Sequence, residues 1–170
     1  NAVNTSTTLK NNQVSAVVTD SQGNKWFGTN GGVSLFDGIN WTNYTVSDGL
    51  ASDLITSTAV DSQGNKWFGS WGGVSKFDGI TWTTYTTTNG LINNNVRCIA
   101  TDAQNNVWAG TDGGGLSKFD GTNWITYTSA DGLASDTVYS IVVDSSGNKW
   151  FGTLNSGVSE FDGTNWTTYT

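Results

Sequence analysis

Histidine is missing from this 170-residue chain, and with it go Ser-His-Asp and Cys-His catalysis and every His-ligated metal site. The single cysteine, Cys98, excludes an intrachain disulfide and a Cys-rich zinc site. Basic residues are scarce: 7 Lys and Arg against 14 Asp and Glu leave a net charge of −7. That balance argues against a nucleic-acid backbone or an anionic membrane surface as partner. No apolar run approaches the roughly 20 residues of a membrane span, so membrane insertion is not expected, and no signal peptide is read at the start. Methionine is absent too, so the chain is expected to be processed or excised from a longer one. Proline is also absent, which leaves Gly, Asn, Asp and Ser to build every turn. What remains is rich in Trp, Gly, Thr and Asn, and is long enough, as about one domain, to bury roughly 70% of its unfolded surface.

The sequence repeats itself. Asp61 to Gly69 (Asp-Ser-Gln-Gly-Asn-Lys-Trp-Phe-Gly) matches Asp20 to Gly28 residue for residue, Asp144 to Gly152 differs by one Ser for Gln, and Asp102 to Gly110 is the divergent copy. A second element follows in each: Phe36-Asp37-Gly38 with Trp41, Phe77-Asp78-Gly79 with Trp82, Phe119-Asp120-Gly121 with Trp124, and Phe161-Asp162-Gly163 with Trp166. Within a copy, Asp to first Trp is always six residues, Phe to second Trp five, and second Trp to the next Asp twenty. Only first Trp to Phe varies, ten in copies one and two and eleven in three and four. One place of length freedom in a rigid unit marks a loop tip on a fixed scaffold.

The third copy reads as four strands: Val96–Thr101, Val107–Thr111, Leu116–Phe119 and 124–128, with turns at Asp102 to Asn106, Asp112 to Gly115 and Asp120-Gly121. No helical period appears. Four short antiparallel strands in about 42 residues, with periodic aromatics and glycines, describe a propeller blade. The expected fold is therefore an all-β propeller of four four-stranded blades at 14–45, 55–86, 96–128 and 138–170. Residues 1–13 read as a lead or the remnant of a preceding blade. An open arc exposes an apolar face at each end. The alternatives are two arcs closing an eight-bladed ring as a homodimer, a self-closed four-blade monomer, or a fragment of a longer chain.

The motifs Gly-Asn-Lys-Trp-Phe-Gly-Thr, Gly-Gly-Val-Ser-x-Phe-Asp-Gly and Trp-Thr-x-Tyr-Thr, spread over residues 14–170, resemble the two-component regulator propeller repeat. Such repeats occur in extracellular sensor regions of bacterial hybrid histidine kinases and in related secreted proteins. The resemblance implies an extracellular or periplasmic setting, rings of more than four blades, and a sensing or binding role.

The Asp20, Asp61, Asp102 and Asp144 turns each carry one carboxylate and no closing Glu. They read as side chains capping their own turns and not as calcium loops, and the same holds for Asp37, Asp78, Asp120 and Asp162. No metal and no cofactor is expected. Acid–base chemistry would have to come from Asp48, Asp53, Asp112, Asp131, Asp136 and Glu160, and nothing in their pattern singles out a catalytic pair; the chain is read as a non-enzyme. The sequons at Asn4, Asn40, Asn43 and Asn165 follow from the repetition itself.

Where the copies disagree is more informative. The second position of the first strand is Ser15, Thr56, Arg97 and Tyr139, and Arg97 is the sole arginine. The loop of variable length reads Asn30-Gly31-Gly32, Ser70-Trp71-Gly72-Gly73, Asp112-Gly113-Gly114-Gly115 and Leu154-Asn155-Ser156-Gly157, and Trp71 has no counterpart. In a meandering blade this loop, the link to the next blade and the start of the first strand share one rim. Trp71, Arg97, Tyr139, Asp112, Asn30 and Asn155 are therefore the candidate contacts for a small polar ligand such as a glycan, or for a protein. A self-assembling or protein-interaction scaffold is the alternative role.

Overall fold

The computed structural model describes residues 5, 6 and 8–170. Asn1 to Asn4, with the Asn4 sequon and most of the expected blade remnant, and Thr7 lie outside them. The chain forms four antiparallel sheets. Blade 1 holds β1 (Thr5–Ser6), β2 (Val14–Thr19), β3 (Lys25–Thr29), β4 (Gly32–Phe36) and β5 (Trp41–Tyr44). Blade 2 holds β6 (Ile55–Val60), β7 (Lys66–Ser70), β8 (Gly73–Phe77) and β9 (Trp82–Tyr85). Blade 3 holds β10 (Val96–Thr101), β11 (Val107–Thr111), β12 (Leu116–Phe119) and β13 (Trp124–Tyr127). Blade 4 holds β14 (Val138–Val143), β15 (Lys149–Thr153), β16 (Val158–Phe161) and β17 (Trp166–Tyr169). Each blade is a meander in chain order, and β1 adds an outer strand to blade 1 by pairing Thr5 with Thr42 and Ser6 with Trp41.

The fixed Asp-to-Trp spacing has a direct cause. In every copy the Asp Oδ1 accepts backbone N–H groups of its own turn, and Oδ2 accepts the indole Nε1–H of the Trp six residues on. Those indole bonds are 2.9 Å at Asp20–Trp26, Asp61–Trp67 and Asp102–Trp108, and 3.0 Å at Asp144–Trp150. One residue more or less would swing the indole away and orphan a buried donor. In the divergent copy Asn105 takes the place of a turn glycine and adopts its left-handed φ, 62°, which Asn tolerates. Its Oδ1 accepts from the backbone and hydroxyl of Ser62 in the neighbouring blade.

Three apolar cores lie between blades, not within them. Trp26 and Val33 of blade 1 meet Ile55 and Phe68 of blade 2; Trp67 and Val74 meet Val96 and Phe119; Trp108 and Leu116 meet Val138 and Phe151. The glycine that ends each Trp-x-Gly run allows this approach. A Cβ on Gly28 would sit 2.5 Å from Ile55, and one on Gly69 2.8 Å from Val96. Inner strands pack in the row β2, β6, β10, β14, with no matching contact between β2 and β14. The four blades make an open arc, not the self-closed four-blade monomer considered from sequence.

The links also hold more structure than a polar loop. Each opens with a single 3-10 turn, at Val46–Asp48, Thr87–Asn89 and Ser129–Asp131. The side chains of Asp48, Asn89 and Asp131 accept the backbone N–H of Thr45, Thr86 and Thr128 at 2.8, 3.0 and 2.8 Å. Asp53, Asn94 and Asp136 do the same for the following residue. Asp and Asn interchange here because only an acceptor oxygen is needed.

Candidate functional site

On the rim opposite the Asp-Trp turns, the residue that follows β3, β7, β11 and β15 donates its N–H to the carbonyl just before the blade's inner strand. The pairs are Asn30 to Gln13, Trp71 to Leu54, Asp112 to Asn95 and Leu154 to Thr137, at 2.9 to 3.3 Å. Loop and strand start are thus tied together in all four blades.

Beside that tie every inner strand carries a register shift. The ladder skips from Val14 to Ala16, Ile55 to Ser57, Val96 to Cys98 and Val138 to Ser140. The skipped residues are Ser15, Thr56, Arg97 and Tyr139, the position at which the copies disagree. A bulge residue is released from the ladder and its side chain is re-aimed.

Blades 1 and 2 use the released side chain for scaffolding. Ser15 Oγ donates to the Ile55 carbonyl and Thr56 Oγ1 to the Val96 carbonyl, 2.7 Å, each reaching the next blade. Blade 3 hands that task to Cys98, whose Sγ lies 3.6 Å from the Val138 carbonyl. Burial pushes the Cys98 thiol up to about 12, so it stays protonated and unreactive.

Arg97, relieved of that role, turns to Asp112 and Tyr139. Its Nη2 donates to Asp112 Oδ2 at 2.8 Å, and its guanidinium carbon lies 4.6 Å from the centre of the Tyr139 ring. The hydrogen bond with Asp112 holds the guanidinium even more firmly protonated than usual. Arg97 Nε is buried and has no hydrogen-bond partner among the described residues. Three of the six residues chosen from sequence therefore form one cluster.

Trp71 and Asn30 form a second group. With Leu54, Ile55 and Thr56 they line an open cleft of about 200 Å³ between blades 1 and 2. Trp71 is 53% exposed. Among the described residues the other eight of the nine tryptophans each contact an aromatic ring, and Trp71 does not. Leu54 gave no sequence signal because it sits in a link; Thr56 stands at the position where the copies disagree but is not among the six candidates, its hydroxyl resembling that of Ser15. Asn155 stands apart: it is exposed on the blade 4 loop at φ 57°, and among the described residues it makes no hydrogen bond to the other five.

The acids set aside for acid–base chemistry do not converge. Asp48, Asp53, Asp131 and Asp136 accept from the turns beside them, and Glu160 Oε2 accepts from Tyr169 at 2.8 Å. Among the described residues no three His, Cys, Asp or Glu side chains gather into a metal-binding group. Of the sequons, Asn43 is buried and bonded to Ser34 and to the Thr8 carbonyl.

Residues 8–31 and 90–113 match the family described as two component regulator propeller. Those two stretches are similar to two component regulator propeller repeats. No curated protein sequence matches the chain. Solved structures do. The extracellular domain of BT4673 from B. thetaiotaomicron, described as a hybrid two component system, superposes with a TM-score of 0.79 at 22% identity, over 92% of this chain and 25% of that one. The extracellular domain of BT3049 from the same organism gives 0.54 at 24% identity, over 99% and 30%. Virginiamycin B lyase from Staphylococcus aureus gives 0.74 at 15% identity, over 92% and 55%. The chain thus spans about a quarter of the length of the sensor-type structures it resembles. At these identities the likeness speaks for the propeller fold. No helix among the described residues is long and apolar enough to cross a membrane.

The matched regulator-propeller segments cover parts of blade 1 and of the blade 2–3 link with blade 3. Each ends in the variable loop: the first takes in Asn30, and the second takes in both Arg97 and Asp112.

Proposed function

We propose that the chain is a non-enzymatic binding module of a sensor-type propeller, working outside the bacterial cytoplasm, and that its variable rim takes a small polar ligand such as a glycan. The observation that carries this reading is the Arg97–Asp112–Tyr139 cluster, built on bulge residues that two other blades use for scaffolding. The Arg97 guanidinium, with its side chain 28% exposed, offers directional donors to a carboxylate, carboxamide or hydroxyl oxygen. Trp71, free of aromatic partners over the neighbouring cleft, offers a flat apolar face on which a sugar ring stacks. Asn30 and Asp112 supply acceptors and donors at the edges, and Asn155 extends the same rim in blade 4. The partners in this reading are a glycan or a protein on the rim, while a second copy at the blade ends would leave that rim free.

The test is a glycan array followed by calorimetry on the best binder, with Trp71→Ala and Arg97→Ala beside the unaltered chain. Each substitution is expected to weaken binding at least tenfold. No binder in the array, or full binding by both variants, removes the reading.

A further inference from the structure

The ion pair of blade 3 leaves a donor and an acceptor unspent side by side. Arg97 uses Nη2 on Asp112 Oδ2 at 2.8 Å, while Arg97 Nη1 and Nε and Asp112 Oδ1 make no hydrogen bond among the described residues. Of those three atoms only Nε is buried, and the two side chains are 28% and 35% exposed. Both partners are held in place. The Asp112 N–H donates to the Asn95 carbonyl, and the Asp112 carbonyl accepts from Asn93 Nδ2, each at 2.9 Å. The Tyr139 ring steadies the guanidinium from the next blade. Blade 3 has a neighbour on either side, so the pair does not depend on the ends of the arc.

No other blade offers this pairing. At the same two positions blade 1 has Ser15, whose Oγ donates to the Ile55 carbonyl, and Asn30, whose Nδ2 donates to Gln13 Oε1 at 2.8 Å. Blade 2 has Thr56 and Trp71, and blade 4 has Tyr139 and Leu154, with no charge at either place. The charges of Arg97 and Asp112 oppose each other, which selects against ions of both signs. A carboxylate drawn to Arg97 meets the unpaired Asp112 oxygen, and an ammonium drawn to Asp112 meets the guanidinium. A neutral group that accepts at one atom and donates from the next satisfies both, and two hydroxyls on neighbouring carbons do so. The adjoining cleft favours a ring as their carrier: Thr56, which lines it with Trp71, donates to the carbonyl of Val96, the residue before Arg97.

We infer that Arg97 and Asp112 read a vicinal diol of a neutral sugar, Arg97 Nη1 donating to one hydroxyl and Asp112 Oδ1 accepting from its neighbour. The inference rests on the glycan reading of the rim and narrows it to a pair of adjacent hydroxyls, with acidic groups rejected at this pair.

Arg97 is the sole arginine, so a nitrogen-15 spectrum carries a single guanidinium Nε–H signal that reports on this pair. The probes are the methyl glycosides of glucose, mannose and galactose, each beside its analogue lacking the hydroxyl on the third ring carbon. Those deoxy analogues keep their other hydroxyls but have no two on adjacent carbons. Acetate and acetamide are the ionic and amide comparisons. At least one parent glycoside is expected to shift the signal saturably, and its deoxy analogue to bind about tenfold more weakly. Asp112→Asn keeps the side chain's size and removes the countercharge; it is expected to weaken the sugar about fivefold and to let acetate shift the signal. Circular dichroism checks that this variant keeps the fold. Acetate or acetamide shifting the unaltered chain's signal as strongly as the glycosides overturns the inference, as do deoxy analogues that bind as well as their parents. A sugar whose binding is lost in Trp71→Ala but which leaves the Arg97 signal in place also overturns it, and leaves the rim reading standing. Glycosides that bind nowhere on the chain remove both.

Discussion

The two rims of the arc are built from the same four copies and do opposite things with their polar groups. On the Asp-Trp rim every carboxylate is spent inside its own turn, with the backbone on one oxygen and the indole on the other. On the opposite rim the bulge residue begins as a bracing hydroxyl in blades 1 and 2, then becomes an arginine and a tyrosine once Cys98 takes over part of the bracing. Repetition marks chemistry that the fold already satisfies. Divergence serves the fold at Asn105 and Cys98, which bond to a neighbouring blade, whereas at the bulge of blade 3 it leaves Arg97 without that bracing role.

The largest effect that sharpens this contrast belongs to the repeated rim. Asp61→Ala orphans the N–H groups of the buried Trp67 indole and Asn65 backbone, and frees that of the exposed Gln63 to water. The expected loss is about 3 kcal/mol, since each unpaired buried donor costs roughly 1–3 kcal/mol. Urea unfolding followed by tryptophan fluorescence measures it. Asp144→Ala removes the same bonds from the end blade, where water reaches the turn, and is expected to cost less. Equal losses at the two positions would show that blade 4 is as well covered as blade 2, and would blur the comparison.

Acid distinguishes the rims next. Burial alone would raise the Asp102 carboxyl, but hydrogen bonds from Trp108, Asn106 and the Gln104 backbone outweigh it and hold the group below its ordinary 3.8. At Asp20 bonds from Trp26 and Asn24 outweigh burial in the same way, and backbone N–H groups of Thr81 and Ile80 bring Asp78 to about 2. A carboxylate whose folded value lies below its unfolded one contributes stability above the unfolded value and loses it as pH falls through the folded one. With no histidine in the chain, no side chain of ordinary pKa titrates between pH 5 and pH 8. The melting temperature is therefore expected to be level over that range and to drop below about pH 4. A slope above pH 5 would mean that some other group, outside these turns, governs stability.

Much of this was readable from residue spacing. Three strands of blade 3 fall where alternation and turn residues put them, and the fourth ends one residue earlier, at Tyr127. The constant six residues from Asp to Trp announced a fixed geometry, though only coordinates reveal it as an indole bond. Arg97, Asp112 and Tyr139 were singled out as three separate irregularities, 15 and 27 residues away from one another, and the bulge brings them into contact. A bulge leaves no mark in a single strand's sequence, because it is a mismatch between two strands. The Asp/Asn alternation in the links was legible as a pattern but not as a set of 3-10 caps, since a lone turn is too short to show helical periodicity. Asn155 was chosen by the same logic as Asn30, yet its loop lacks a lining partner such as Trp71.

The smallest expected effect belongs to the variable rim, and it is where the comparison is most exposed. If Trp71 and Arg97 are released from scaffolding, Trp71→Ala and Arg97→Ala should each change unfolding stability by no more than about 1 kcal/mol, the range of exposed substitutions and of a surface ion pair. Trp71 keeps half its surface in water and touches no other ring among the described residues. Every repeated tryptophan, by contrast, is stacked on or tilted against an aromatic neighbour, and truncating a buried one such as Trp108 removes contacts to Phe151, Phe161 and Tyr127 together. Urea midpoints for Trp71→Ala beside Trp108→Ala set the two on one scale. A Trp71 loss approaching that of Trp108 would mean its ring is a structural wedge between blades 1 and 2, and the rim would then be scaffold like the other.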